Sequence, residues 1–172
     1  MSDEIPYVQI SKNPVKDFFN RFYLTDIVPT NLILVTPILG TLSGTRFSLE
    51  RLVKKIESEK IPTYLITRAP EEPFHSEAIE LFSKSSFVEI RYNNSLHAKL
   101  YVCMGRDQGF AFLGSGNLTK TSMEKNIEIG MIIFHHGKGR QILNELHNWG
   151  AIRLRTLKES KLHKKMTFQR RR

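Results

Sequence analysis

A chain of 172 residues, 40% hydrophobic and 25% charged, fits one domain and carries enough apolar material for a core, which excludes a wholly disordered protein. The longest apolar run, Leu32 to Leu39, is broken by Thr36 and Pro37, well short of the about 18 residues of a membrane helix. No apolar stretch follows Asp3 and Glu4 as in a secretory leader. The lone Cys103 rules out an intramolecular disulfide framework and an all-cysteine zinc site, so the expectation is a soluble, cytoplasmic protein with no integral membrane association and a net charge of +9.

Asn13 and Pro14 suit the start of a helix whose Val15, Phe18, Phe19 and Phe22 fall on one face. The run NLILVTP (31–37) reads as a buried strand. Past a loop holding Gly40 and Gly44, Ser48 is placed to cap a second helix with Leu49, Leu52, Val53 and Ile56 on one side, and Phe47 with Leu52 forms a hydrophobic staple. PTYLITR (62–68) is the next strand and residues 76–84 the next helix. Four strands then follow, at 87–92, 97–104, 109–114 and 127–134, separated by turns and a polar loop at 116–125. A last helix, 140–149, is expected to bury Ile142, Leu146 and Trp149. Helix–strand alternation followed by a strand-rich stretch predicts an α/β sandwich with a mixed central sheet flanked by helices.

The charge is unevenly divided. Residues 1–150 hold 17 Lys and Arg against 16 Asp and Glu, whereas residues 151–172 hold nine basic residues and one acid, Glu159. The expectation is a domain over 1–157 and a basic tail over 158–172. Lys161, Lys164, Lys165, Arg170, Arg171 and Arg172 then bind nucleic acid or another polyanion, or else form a solvated tail.

Chemistry concentrates between residues 97 and 128. On an extended HAKLYVCM strand, His97, Lys99, Tyr101 and Cys103 share one face and Ala98, Leu100, Val102 and Met104 the other. The next strand ends in Gly114-Ser115-Gly116-Asn117, where the glycines permit close backbone approach and Ser115 and Asn117 supply hydrogen-bond donors. Glu128 opens the following strand, placed to orient an imidazole. A nucleophile or base, a cation, a donor-rich loop and a carboxylate are parts suited to phosphoryl transfer without a metal. Singly, each has a plainer reading: a surface pair, a turn, a strand-end charge. Their joint spacing points to a site.

HAK, GSGN and the later NIE resemble the HxK…GSxN…E signature of the phospholipase D superfamily, above all its single-motif (HKD-type) nucleases. His97 and Lys99 match the HxK pair, Ser115 and Asn117 the GSxN loop, and Glu128 the downstream acid. Where the fuller pattern has Asp, five residues after the lysine, this chain has Met104, which the strand alternation turns to the apolar face. The resemblance implies the family's sandwich fold and a two-step displacement at a phosphodiester through a phosphohistidine, with no metal or other cofactor. That scheme needs two imidazoles, and this chain offers one usable HxK. It therefore implies a homodimer with a composite site, Lys99 and Asn117 holding the non-bridging oxygens. DNA is the favoured substrate, with any sequence specificity either weak or supplied by a partner such as a motor or target-recognition protein. A phospholipid phosphodiesterase and a non-catalytic nucleic-acid-binding subunit are the alternatives.

The remaining histidines read otherwise. His163 and Lys165 form a second HxK with no room for a GSxN after it. His135 and His136 belong to a loop, His75 and His147 to helices, and Cys103 to packing.

Overall fold

The computed structural model describes residues 6–167. A short strand, β1 (Val8–Ser11), precedes α1 (Pro14–Leu24). Pro14 opens that helix, where a missing N–H costs nothing, and Val15, Phe18, Phe19 and Phe22 are buried as their spacing predicts. Asn13 does not cap with its side chain; its Nδ2 donates instead to the Met123 carbonyl at 2.8 Å. Strand β2 (Asn31–Val35) leads to α2 (Leu49–Glu59), where the Ser48 hydroxyl accepts the Arg51 N–H. Phe47 and Leu52 are buried in one cluster, as the staple requires. Then come β3 (Thr63–Thr67), α3 (Pro73–Ser83) and β4 (Val88–Tyr92). Helix α3 starts three residues before the expected Ser76 because Pro73 opens it.

Strands β5 (Leu100–Met104) and β6 (Gly109–Gly114) are followed by a short helix, α4 (Lys120–Glu124), inside the expected polar loop. Strand β7 (Gly130–Phe134) leads to α5 (Gly139–Asn148), a π-helical stretch over Trp149–Leu154 and β8 (Lys161–Lys164). The expected helix burial shifts by one position. Leu143 is fully buried, Ile142 is exposed, and Leu146 and Trp149 are partly covered, while Ala151 and Leu154 of the π-helical stretch are buried in the same cluster.

All eight strands form one sheet in the order β1-β7-β6-β5-β2-β3-β4-β8. The β2–β3 and β3–β4 pairs are parallel, each connected through a helix, and the others are antiparallel. Helices α1, α2 and α3 cover one face and α5 with the π-helix the other. Central strands are consequently apolar on both sides: Leu32 and Leu34 of β2 meet the first cluster, Ile33 and Val35 the second.

Further expectations change. The strand expected from His97 begins at Leu100, so His97 and Lys99 lie on its entry segment. Tyr101 and Cys103 do not share an open face with them; both are fully buried beneath α1 and α2. Part of the expected tail is β8, paired antiparallel to β4 with Tyr92 opposite Lys161.

Candidate active site

Strand direction gathers the motif residues at one pole of the sheet. Val35 pairs with Leu100, so the exit of β2 at Thr36 meets the entry of β5 at Lys99. The Gly114 N–H donates to the Lys99 carbonyl (3.4 Å), while Gly114 pairs with Gly130 across β6 and β7. Beyond that pair, Ser115 N–H donates to the Ile129 carbonyl (3.1 Å), and Ile129 N–H returns a bond to the Ser115 hydroxyl (3.1 Å). The HAK segment, the GSGN loop and the segment carrying Glu128 are therefore neighbours at the same end.

Close approach explains two glycines. A Cβ on Gly114 would fall 2.5 Å from the Ile129 carbonyl oxygen, and one on Gly116 would fall 2.5 Å from Val15 Cγ2. Any larger residue would push the loop away from its neighbouring strand or from α1.

His97 is exposed, and its imidazole makes no hydrogen bond to a described residue. Lys99 is half-buried, and its Nζ donates to the His97 carbonyl at 3.0 Å. This places a cation beside the imidazole's own backbone. Glu128 is buried and begins no strand: it lies two residues ahead of β7. Its carboxylate accepts from the Ser115 hydroxyl through Oε2 and from Asn126 Nδ2 through Oε1 (3.2 Å). In the single chain it holds the loop, with no hydrogen bond to His97 among the described residues.

Below the loop lie polar groups the motif did not reveal. Thr36 is fully buried; its hydroxyl donates to the Ile38 carbonyl at 2.7 Å, accepts the Leu118 N–H at 3.2 Å and lies 3.4 Å from Asn117 Oδ1. The buried Tyr101 hydroxyl donates to the Gly116 carbonyl at 2.9 Å. Burial drives the Tyr101 phenol well above its ordinary range, with the Thr36 hydrogen bond opposing and the Glu128 charge reinforcing. It therefore remains a donor at physiological pH. Thr36 had one visible sequence signal, a hydroxyl interrupting the longest apolar run.

The basic residues expected to bind polyanions divide. Lys161 and Lys165 are exposed, whereas Lys164 is fastened to the Ser85 and Val88 carbonyls at 2.6 and 2.7 Å. Burial lowers its pKa against the opposing charge of Glu57. Arg170, Arg171 and Arg172 lie outside the described residues. Strand β8 stands four strand steps from β5, about 19 Å at about 4.8 Å per step. Lys161 shares the pole of His97 but not its immediate site.

The other expectations are met locally. Met104 packs with the second apolar cluster, at the far end of β5. Burial pushes the Cys103 thiol up to about 12, Lys55 opposing and Glu59 adding, which leaves it an unreactive packing group. His163 stacks on Tyr92 at 4.5 Å, His75 is buried against the Thr67 hydroxyl (3.1 Å), and His147 meets Asn31 Oδ1 (3.2 Å). His135 bonds the Asp107 carbonyl and lines, with His136, Arg21 and Phe134, a groove of about 730 Å³ at the opposite pole.

Among the described residues no helix is long and apolar enough to cross a membrane. A family model described as "Cardiolipin synthase, PLD-like domain" matches residues 44–151. No curated protein sequence matches the chain. Among solved structures, the fold is similar to Nuc of Salmonella typhimurium, a phospholipase D family member, at 13% identity and TM-score 0.62, covering 92% of this chain and 97% of that one. NucT from Helicobacter pylori gives 13% identity and TM-score 0.61, over 90% and 96%. Phosphatidylserine synthase of Haemophilus influenzae Rd KW20 gives 15% and 0.58, over 93% of this chain and 40% of that one. A family model over more than half of the sequence, with the same sandwich recurring along nearly the whole chain, places this protein in the phospholipase D superfamily.

Proposed function

We propose that the protein is a metal-independent phosphodiesterase, a DNA endonuclease of the single-motif kind, working as a homodimer in the cytoplasm. The observation that carries this reading is an exposed His97, its imidazole bonded to no described residue, with Lys99 and Asn117 at one sheet pole, the GSGN loop braced from beneath by Thr36 and Tyr101. In the first step an imidazole nitrogen of one His97 attacks phosphorus and forms a P–N bond. The P–O bond to the leaving group breaks, and that oxygen takes a proton from the imidazolium of the second copy's His97. In the second step that now neutral imidazole removes a proton from water, the hydroxyl attacks phosphorus, and the P–N bond breaks. Lys99 and the Asn117 amide offset the charge gathering on the non-bridging oxygens. Ser115 and Glu128 hold the loop in place, and Glu128 also orients an imidazole in the assembled dimer.

Nicking of supercoiled plasmid in EDTA tests the proposal. Activity is expected to persist in chelator and to vanish in His97→Ala. Activity that appears only after adding Mg²⁺ or Zn²⁺ would overturn the mechanism.

A lipid phosphodiesterase is the second reading, favoured by Ile38 and Phe74, 37% and 45% exposed; Ile38 follows Thr36 at the same pole. Release of headgroup from anionic vesicles, without plasmid nicking, would select it. Binding of DNA with neither reaction would leave a non-catalytic subunit. In the DNA reading, target choice is assigned to a motor or target-recognition partner.

A further inference from the structure

Five of the described arginines are occupied. Arg91 and Arg155 are paired with Glu89; Arg21, Arg46 and Arg51 lie over the rings of Phe134, Phe47 and Tyr23. Arg68 differs. It follows β3 directly, at the pole where His97, Asn117 and Glu128 gather. Its backbone N–H donates to the Pro37 carbonyl (3.3 Å), next to the Thr36 that underlies Asn117. Its side-chain Nε donates to the Leu96 carbonyl at 2.7 Å, one residue before His97. The next residue is fixed as well, Ala69 N–H donating to Asn94 Oδ1 at 2.9 Å. Arg68 is thus anchored between the Asn117 side and the His97 side of the site. Its two terminal nitrogens have no hydrogen bond or ion pair with a described residue. A guanidinium held by Nε alone keeps its Nη donors free for the paired oxygens of a phosphate.

We infer that Arg68 is a substrate-binding residue, gripping a backbone phosphate that neighbours the scissile one. The inference rests on the DNA reading of the site and adds a contact outside the HxK and GSxN motifs. It also gives the strand a path: from His97 across the 93–96 loop towards the exposed Lys161 at the same pole.

Binding of a labelled short duplex by fluorescence anisotropy, titrated with salt, tests it in a His97→Ala background that holds DNA without cutting it. One phosphate contact contributes about 0.9 to the slope of log affinity against log salt. Arg68→Gln in that background is expected to lower the slope by about that amount and to weaken low-salt binding about tenfold. Arg68→Lys, which keeps the charge, is expected to retain the slope. An unchanged slope and affinity in Arg68→Gln would overturn the inference. So would weaker binding at an unaltered slope, since that is the signature of a residue that merely supports the 93–96 loop. Should the His97→Ala protein bind no DNA at all, the substrate reading itself falls and takes the Arg68 contact with it.

Discussion

A fully buried hydroxyl that serves three polar neighbours is expensive to remove, and Thr36 is placed under the one loop the chemistry needs. Its 2.7 Å bond to Ile38 and the bond it accepts from Leu118 hold the chain on both sides of the site, while the 3.4 Å approach to Asn117 is too long to contribute much. Thr36→Val keeps the shape and strands the Leu118 N–H, a loss of about 1–3 kcal/mol. We predict a matching fall in melting stability and a drop in turnover larger than any change in KM, with Thr36→Ser restoring both. Equal turnover in the valine variant, measured on plasmid DNA, would count against a positioning role. Cys103 yields a second prediction at this scale. Its thiol is raised by burial from an ordinary value near 9 to about 12, so the stability it contributes is complete below about pH 9 and is lost as pH rises towards 12. Cys103→Ala is expected to flatten the alkaline limb of a stability–pH curve, and alkylation of the native thiol should follow unfolding.

Among the elements, the C-terminal arm joins the domain through charge. Glu89 on β4 accepts from Arg91 Nε at 2.6 Å and Arg155 Nε at 2.7 Å, with Arg155 also over the Tyr64 ring. Burial pushes the Glu89 carboxyl up, but the hydrogen bonds and charges of Arg155 and Arg91 outweigh it and leave the pKa lowered. A depressed carboxyl stabilises fully above about pH 4.5 and loses that contribution as pH falls through the folded value. Glu89→Gln should therefore cost about 3 kcal/mol near neutrality and much less in acid; thermal melts across pH 3–7 would show the difference narrowing. Strand β8 next to it explains what sequence reading could and could not reach. Buried elements such as β2, β3, α1 and α2 were legible because two-sided burial or a 3.6-residue period leaves an apolar trace. The HAK, GSGN and Glu128 segments stand out in the sequence because each flanks one of three consecutive strands, β5, β6 and β7. Strand β8 reads KLHK, and Lys at a sheet edge is how edge strands avoid pairing with other chains, so the same residues read as a solvated tail. Thr36 and Arg68 act through contacts distant in sequence, which no local pattern records. Removing 161–172 should consequently lower stability by exposing the edge of β4, and the salt dependence of DNA binding is better tested by Lys161→Ala and Lys165→Ala, each expected to reduce the slope by at most about 0.9.

At the scale of the molecule, the pole that carries the site also carries apolar surface without a cover. Met131 pairs with Ile10 across β7 and β1, on the face where Ile133 and Val8 join the second cluster. Helix α5 and the π-helix cover that face over the inner strands, yet Ile10 and Ile129 remain 67% and 63% exposed. Met131 is 39% exposed, and Ile127 is fully so. Ile127 and Ile129 flank Glu128 directly, so a second copy seated here would bring its own His97 pole against this one, as a two-imidazole mechanism requires. A single lysine separates that proposal from simple exposure. Ile129→Lys adds charge where the side chain is mostly in water, and should change monomer stability by no more than about 0.5 kcal/mol. Buried between two copies, the same ammonium has no partner and opposes association. Sedimentation is therefore expected to show a dimer for the wild type and a folded monomer for Ile129→Lys, with nicking lost in step. Mixed dimers of wild type and His97→Ala should be nearly inactive, because each holds one shared site lacking one of its two imidazoles. A variant that remains dimeric would move the interface elsewhere, and a monomer that cuts at full rate would leave the composite site without support.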